Sequence, residues 1–191
     1  MVTKLVSEFV GSNAYIIKNN SNEALIIDAG VNACKIKKHL NGEKVVGILL
    51  THLHFDHSYH LRELIKEFGC KAYVSVNAKK YLNNVEDLTL ANAFGLSVQL
   101  PTELEFVNNQ EIKIGNFIVK VLLTAGHSPD SVCYLIGSML FSGDTLFLDA
   151  IGRTDFKLSS VSDMLNSLKV LKQTKFDCVL SGHGRQSGYS D

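Results

Sequence analysis

Three of the chain's seven histidines fall within one short stretch, "THLHFDH", residues 51–57, with an aspartate among them. Seven histidines and ten aspartates scattered over 191 positions would give the order His-x-His-x-Asp-His roughly 0.0005 times, so the pattern is a signal and not a compositional accident. Imidazole nitrogen and carboxylate oxygen are donors that borderline divalent ions such as Zn²⁺ favour, and a catalytic site also keeps a position for water. In an extended turn His52 and His54 face one side while Leu53 faces away. Past Phe55 the chain bends towards a helix, so Asp56 and His57 can serve a neighbouring point. Three more donors stand alone: His127 in "TAGHSPD", Asp144 in "FSGDTLF" and His183 in "SGHG". Singly, these would be read as a packed histidine, a loop-capping acid and a turn. Together with the first cluster they make five His and two Asp, too many for one tetrahedral ion. Such a set suits two ions about 3.5–4 Å apart that share a carboxylate.

The elements that must position these donors strengthen the case. "KVVGILL" runs into His52, His54, Asp56 and His57; "NFIVKVLLT" runs into His127, "SMLFSG" into Asp144 and "FDCVLSG" into His183. Four apolar strands thus each deliver donors at their C-terminal ends, where rigid strands aim loop residues at one crevice. Around them, "TKLVSEFV", "NAYIIKN", "EALIIDAG", "LEFV", "QEIKI" and "SVCYLIG" also read as strands. "VNACKIKKHLNG", "SYHLRELIKEFG" and "SVSDMLNSLKVLKQ" carry helical spacing. The middle of the chain, as far as "VEDLTLANAFGLSVQLP", shows one short strand and weaker helical and irregular signals. No repeat, linker or composition shift divides the chain, which is expected to form one domain over residues 1–191, mixed sheets covered by helices. Asp28, closing the strand "LIID", is expected to support a ligand histidine by a hydrogen bond. His39 and His60 lie within helical patterns and read as surface residues.

Composition narrows the function classes. Hydrophobic residues make up 46% and charged residues 20%, and 19 basic balance 19 acidic side chains. That balance supports neither a nucleic-acid partner nor a charged membrane surface. No stretch approaches the roughly 18 apolar residues of a membrane span. The N-terminus lacks the apolar centre of a signal peptide, which makes the cytoplasm the expected compartment. Cys34, Cys70, Cys133 and Cys178 form no C-x-x-C pair and are expected to be buried free thiols. Structural zinc sites are closed and commonly Cys-rich, so a purely structural metal domain fits this donor set poorly.

The His-x-His-x-Asp-His motif, the later lone His of "TAGHSPDSVCYLI", the "GDTLF" segment and the last His of "SGHG" occur in the order of the metallo-β-lactamase superfamily, which the sequence resembles from "IIDAG" to Gly184. Within it the chain looks most like the glyoxalase II-like hydrolases and their relatives the persulfide dioxygenases, with "IGRTDF" after Asp144 as the shared segment. The resemblance implies a four-layer α/β/β/α sandwich with metals at one edge between the sheets. It implies a first metal on His52, His54 and His127, a second on Asp56, His57 and His183, and Asp144 bridging. The cofactors implied are two divalent ions, zinc first, with iron or a zinc–iron pair as the alternative.

The reaction expected is hydrolysis, in which a hydroxide shared by the two ions attacks the carbonyl carbon of a small molecule such as a hydroxyacyl-glutathione thioester, with Asp56 accepting the water's proton. Arg153 is a candidate for the substrate rim, or else simply a partner for Asp155. The rival reaction is persulfide dioxygenation at one iron held by His52, His127 or His54, and Asp144. Phosphodiester hydrolysis, as in RNA-cleaving relatives, is the minor option. The chain ends seven residues after Gly184, so the helical domain that grips glutathione in glyoxalase II is expected to be absent. Part of the substrate pocket is then open to supply from a second copy in a homo-oligomer. Leu53 replaces a frequent His, and Asp130 stands where Gly is common. Substrate choice is expected to lie in residues 85–101 and 147–160.

Overall fold

Period-two alternation in the strand-like runs sorts this chain into layers. The computed structural model describes residues 1–186. One sheet has the spatial order β1 (Val2–Val6), β2 (Asn13–Lys18), β3 (Glu23–Ile27), β4 (Lys44–Leu49), β5 (Ala72–Ser75) and β6 (Glu105–Val107). β1, β2 and β3 pair antiparallel, and β3 to β6 run parallel. The second sheet contains β7 (Gln110–Ile114), β8 (Phe117–Leu123), β9 (Val132–Ile136), β10 (Met139–Gly143) and β11 (Cys178–Ser181), antiparallel except for the parallel pair β10–β11.

β3 shows how the layers arise. Leu25 and Ile27 join Tyr15, Val119, Tyr134 and Phe141 in a core between the two sheets. Ala24 and Ile26 face the other way, into a core under the helices α1 (Ala33–Lys37) and α3 (Leu61–Phe68). On the far side, Leu171 of α5 (Val161–Lys172) covers Leu122, Cys133 and Leu140 of the second sheet. The result is the expected α/β/β/α sandwich, with strands buried on both faces reading as near-continuous apolar runs. α5 starts where the Ser160 side chain accepts from the Asp163 N–H and ends with Lys169 and Lys172 in its last turn, as helix termini favour.

Two expectations need correction. "SYHLRELIKEFG" is not one helix from Ser58. Residues Phe55–Ser58 form a separate turn, α2, and α3 begins at Leu61. The Ser58 hydroxyl donates to the carbonyls of Leu53 and His54, which closes the first turn on itself. The middle region matches its expectation: after the short strand β5 come 3₁₀ turns around the short helix α4 (Val85–Thr89). Finally, only Cys133 and Cys178 are buried thiols; Cys34 on α1 is exposed and Cys70 half-buried. Among the described residues, no helix is long and apolar enough to cross a membrane.

Candidate metal centre

The loop after β4 is held from several sides, and each tie fixes the direction of a donor. The Thr51 carbonyl accepts from the Val132 N–H at 2.8 Å, and the Leu50 carbonyl from the Tyr134 hydroxyl at 2.8 Å, so the second sheet grips the loop at its start. The Ser12 hydroxyl donates to the Asp56 carbonyl at 2.7 Å and the Ala29 N–H to the His57 carbonyl at 2.6 Å. Leu53 points away into the outer core, fully buried. Its N–H donates to the carboxylate of Asp130 at 2.9 Å. Asp130 is therefore no disturbance of its turn. It is buried, accepts from Ser128 as well, and has its pKa pushed up to about 6 by burial.

These ties bring all seven donors of the sequence reading together. His52, His54 and His127 form one group whose ligand atoms lie within 4.8 Å of one another; Asp56, His57 and His183 form a second, and His52, His57 and Asp144 a third. Asp144 stands between the first two groups, its oxygens 3.5 Å from His127 Nε2, 3.4 Å from His183 Nε2 and 3.6 Å from His57 Nε2. Asp56 Oδ2 lies 3.3 Å from His57 Nε2 and 3.2 Å from His183 Nε2. The His183 turn is carried in from the other end of the chain: Asn13 Nδ2 and the Tyr15 hydroxyl both donate to the Ser181 carbonyl, at 3.0 and 2.6 Å. Gly182 is obligatory there, because a Cβ would overlap the Asp144 carboxylate and stand 2.8 Å from the His57 ring. Asp28, at φ 62 in the left-handed region, accepts from the Thr51 N–H at 2.7 Å, the Thr51 hydroxyl at 2.9 Å and His57 Nδ1 at 2.9 Å. It plays the supporting role expected of it.

Hydrogen bonds on the outer side set the tautomers. Thr51 spends its one hydroxyl proton on Asp28, so it accepts at 3.1 Å from His52 Nδ1–H. His52 Nε2 is then a bare lone pair, and it is buried with no hydrogen-bond partner among the described residues, as is Asp144 Oδ1. His127 Nδ1 donates to the Arg153 carbonyl at 3.0 Å, which turns its Nε2 inward to within 3.0 Å of His54 Nδ1. Unpartnered buried acceptors are costly, and inward lone pairs beside ionised carboxylates are what a divalent cation satisfies.

The electrostatics agree. Burial, with repulsion from His57 and His54, holds His52 well below the usual histidine range; burial and His127 bring His54 down to about 3, and burial lowers His127. Burial also opposes charge on His57, but Asp56, Asp28 and Asp144 outweigh it and raise its pKa well above the ordinary value. At His183 the same opposition is overcome by Asp144 and Asp56, giving about 9. Both carboxylates stay ionised: burial works against them, and the flanking histidines, His57 foremost, hold Asp56 and Asp144 below their usual values. The centre thus favours positive charge, and its donor set fits two divalent ions.

His54, Asp56, His127, Asp144 and His183 open onto a cavity of about 390 Å³. Leu90 and Phe94 wall it from one side, and Phe147, Ala150, Ile151 and Phe156 from the other, the two segments expected to govern substrate choice. Arg153 lines it too, but its guanidinium is bound by Asp155 at 2.9 and 2.8 Å and lies 4.6 Å over the Phe156 ring. Its main-chain carbonyl, which orients His127, is a role that no sequence pattern announces. Thr51 went equally unnoticed; its adjacency to His52 was the one available signal.

Fold and site together define a class: the metallo-beta-lactamase superfamily. Its family model matches residues 8–183, and the chain belongs to it. Among its relatives is the probable metallo-hydrolase YqgX of Bacillus subtilis (strain 168), 33% identical over 185 residues, covering 93% of this chain and 87% of that protein. The crystal structure of BLEG-1 B3 metallo-beta-lactamase is 32% identical with a TM-score of 0.83, covering 98% of this chain and 93% of that one. That of TTHA1623 in a di-iron-bound form is 28% identical with a TM-score of 0.84, covering 97% and 93%.

The support that Asp28 gives His57 yields a prediction. Asp28→Asn will lower metal affinity 10–100-fold, the usual cost of losing such an outer partner, measured by competition with a chromophoric chelator. A change below about twofold would show that His57 needs no orientation from Asp28.

Proposed function

We propose that this chain is a binuclear metal-dependent hydrolase that cleaves the acyl bond of a small-molecule thioester. One observation carries the proposal: two donor triads, His52/His54/His127 and Asp56/His57/His183, share Asp144 at the base of a single cavity. Divalent ions held there supply an activated water and a Lewis acid for the carbonyl; zinc suits the nitrogen-rich set, and a di-iron relative makes iron the alternative.

The chain's own residues do the rest. Asp28, Thr51 and the Arg153 carbonyl fix the imidazole rings, so that little reorganisation accompanies the reaction. Asp56 opens onto the cavity as a carboxylate, placed to accept a hydrogen bond from a water held there and, in this reading, its proton. Phe147 and Phe156 line the cavity beside the donors and give it an apolar wall.

Elemental analysis of protein purified without added metal tests the proposal, alongside hydrolysis of a panel of thioesters. About two equivalents per chain, falling to about one in His183→Ala with loss of turnover, is the expected result. One iron per chain, unchanged by that substitution and accompanied by oxygen uptake with a persulfide, would replace hydrolysis by dioxygenation.

A further inference from the structure

We infer that the acyl group this site accepts is an uncharged, apolar chain, and that the thiol or alcohol half of its substrate is not recognised through carboxylates. The inference rests on the hydrolase reading and names its substrate class. The cavity wall above the donors is built from Val10, Leu90, Phe94, Phe147, Ile151 and Phe156. Three of these stand well out into solvent at the mouth: Val10 is 57%, Phe94 56% and Ile151 46% exposed. Large apolar side chains gathered around a concave site, with polar groups converging only at its base, are the signature of apolar ligand recognition. Val10 also holds φ 40, a backbone conformation that costs a β-branched residue energy.

Charge points the same way. A glutathione conjugate brings two carboxylates, which proteins bind with free guanidinium or ammonium groups. Among the described residues, Arg153 is the cavity wall's single Arg or Lys side chain, and Asp155 binds its Nε–Nη2 edge bidentately. Lys157, near in sequence, is held by Asp87. Arg185 lines an adjoining groove that shares Phe147, Ala150 and His183 with the cavity and that Asp149 also lines.

The test uses metal-loaded protein and two matched series. The first is a set of N-acetylcysteamine thioesters from acetyl to octanoyl, followed by turnover, with the hexanoyl thioester of glutathione for comparison. The second is the corresponding ketones, with methylene in place of sulfur, followed by calorimetric binding. Ketone affinity should rise about two- to fourfold per methylene, and kcat/KM should rise with it. The cysteamine thioester should match or exceed its glutathione counterpart. Phe94→Asn with Ile151→Asn, both outside the donor set, should flatten the slope of the ketone series. Affinity that is flat along the ketone series, or a glutathione thioester preferred tenfold, would overturn the inference while leaving the hydrolase intact. Rising ketone affinity without hydrolysis of any thioester would instead uphold the apolar pocket and remove the hydrolase reading.

Discussion

Stripping the divalent ions with a chelator will lower the Tm by on the order of 10 °C. The seven donors come from the ends of four strands in two sheets, so whatever binds them ties the sandwich together at one edge. An ion present at a thousand times its Kd stabilises the folded chain by about 4.1 kcal/mol if the unfolded chain does not bind it. For a chain of this size each kcal/mol is worth about 2–4 °C. Unfolding leaves the His52–His57 motif together but separates it from His127, Asp144 and His183, with His57 and His183 126 residues apart, so the unfolded chain holds an ion far less well than the folded one. Differential scanning calorimetry before and after chelation, with restoration by added zinc, checks the prediction. A Tm that moves by less than about 2 °C after complete metal removal would mean that the cluster does not bind ions strongly enough to matter.

Metal uptake will tighten steeply with pH. His57 and His183 have raised proton affinities, His183 to about 9, because Asp56 and Asp144 face them; both therefore hold protons through neutral pH when no other cation is bound. An incoming ion must displace those protons, so affinity rises as pH rises and the competition weakens. Each displaced proton contributes a tenfold gain per pH unit. Between pH 6 and 8 the logarithm of the affinity should climb with a slope approaching two, and it should bend over near pH 9 as His183 loses its proton unaided. Asp56 and Asp144 add nothing to the slope, being ionised already. His52, His54 and His127 add nothing either, because burial keeps them neutral. Chelator competition at a series of pH values measures the slope, and His183→Ala should reduce it by about one. A slope near zero would show that the second triad is not the ion's seat.

The metal-binding side of this protein was legible in its sequence, for a chemical reason. Ligation demands particular side chains, and four of the seven sit in one short motif whose spacing puts them on one loop. The other three each follow an apolar run that announces its strand. What supports the ligands was legible only in part. Asp28 was guessed from its place at a strand end, but Thr51 and the Arg153 carbonyl act through partners that local sequence does not mark. The separate turn at Phe55–Ser58 was also hidden, because Ser58 closes it by bonding to carbonyls rather than through any change in helical spacing.

The residue types and order of the chain alone determined the donor set, the strands that carry it and the layered architecture, since periodicity and ligand chemistry are local properties. Tertiary structure alone decided which ring nitrogen faces inward, that Asp144 lies between the triads, and that Arg153 turns its charge to Asp155. It also decided that the cavity wall is apolar. Apart from the local pair Arg153–Asp155, those outcomes rest on ties such as Thr51 to Asp28 and Asn13 to Ser181, 23 and 168 residues apart, and only the packed sandwich brings such groups within hydrogen-bonding range.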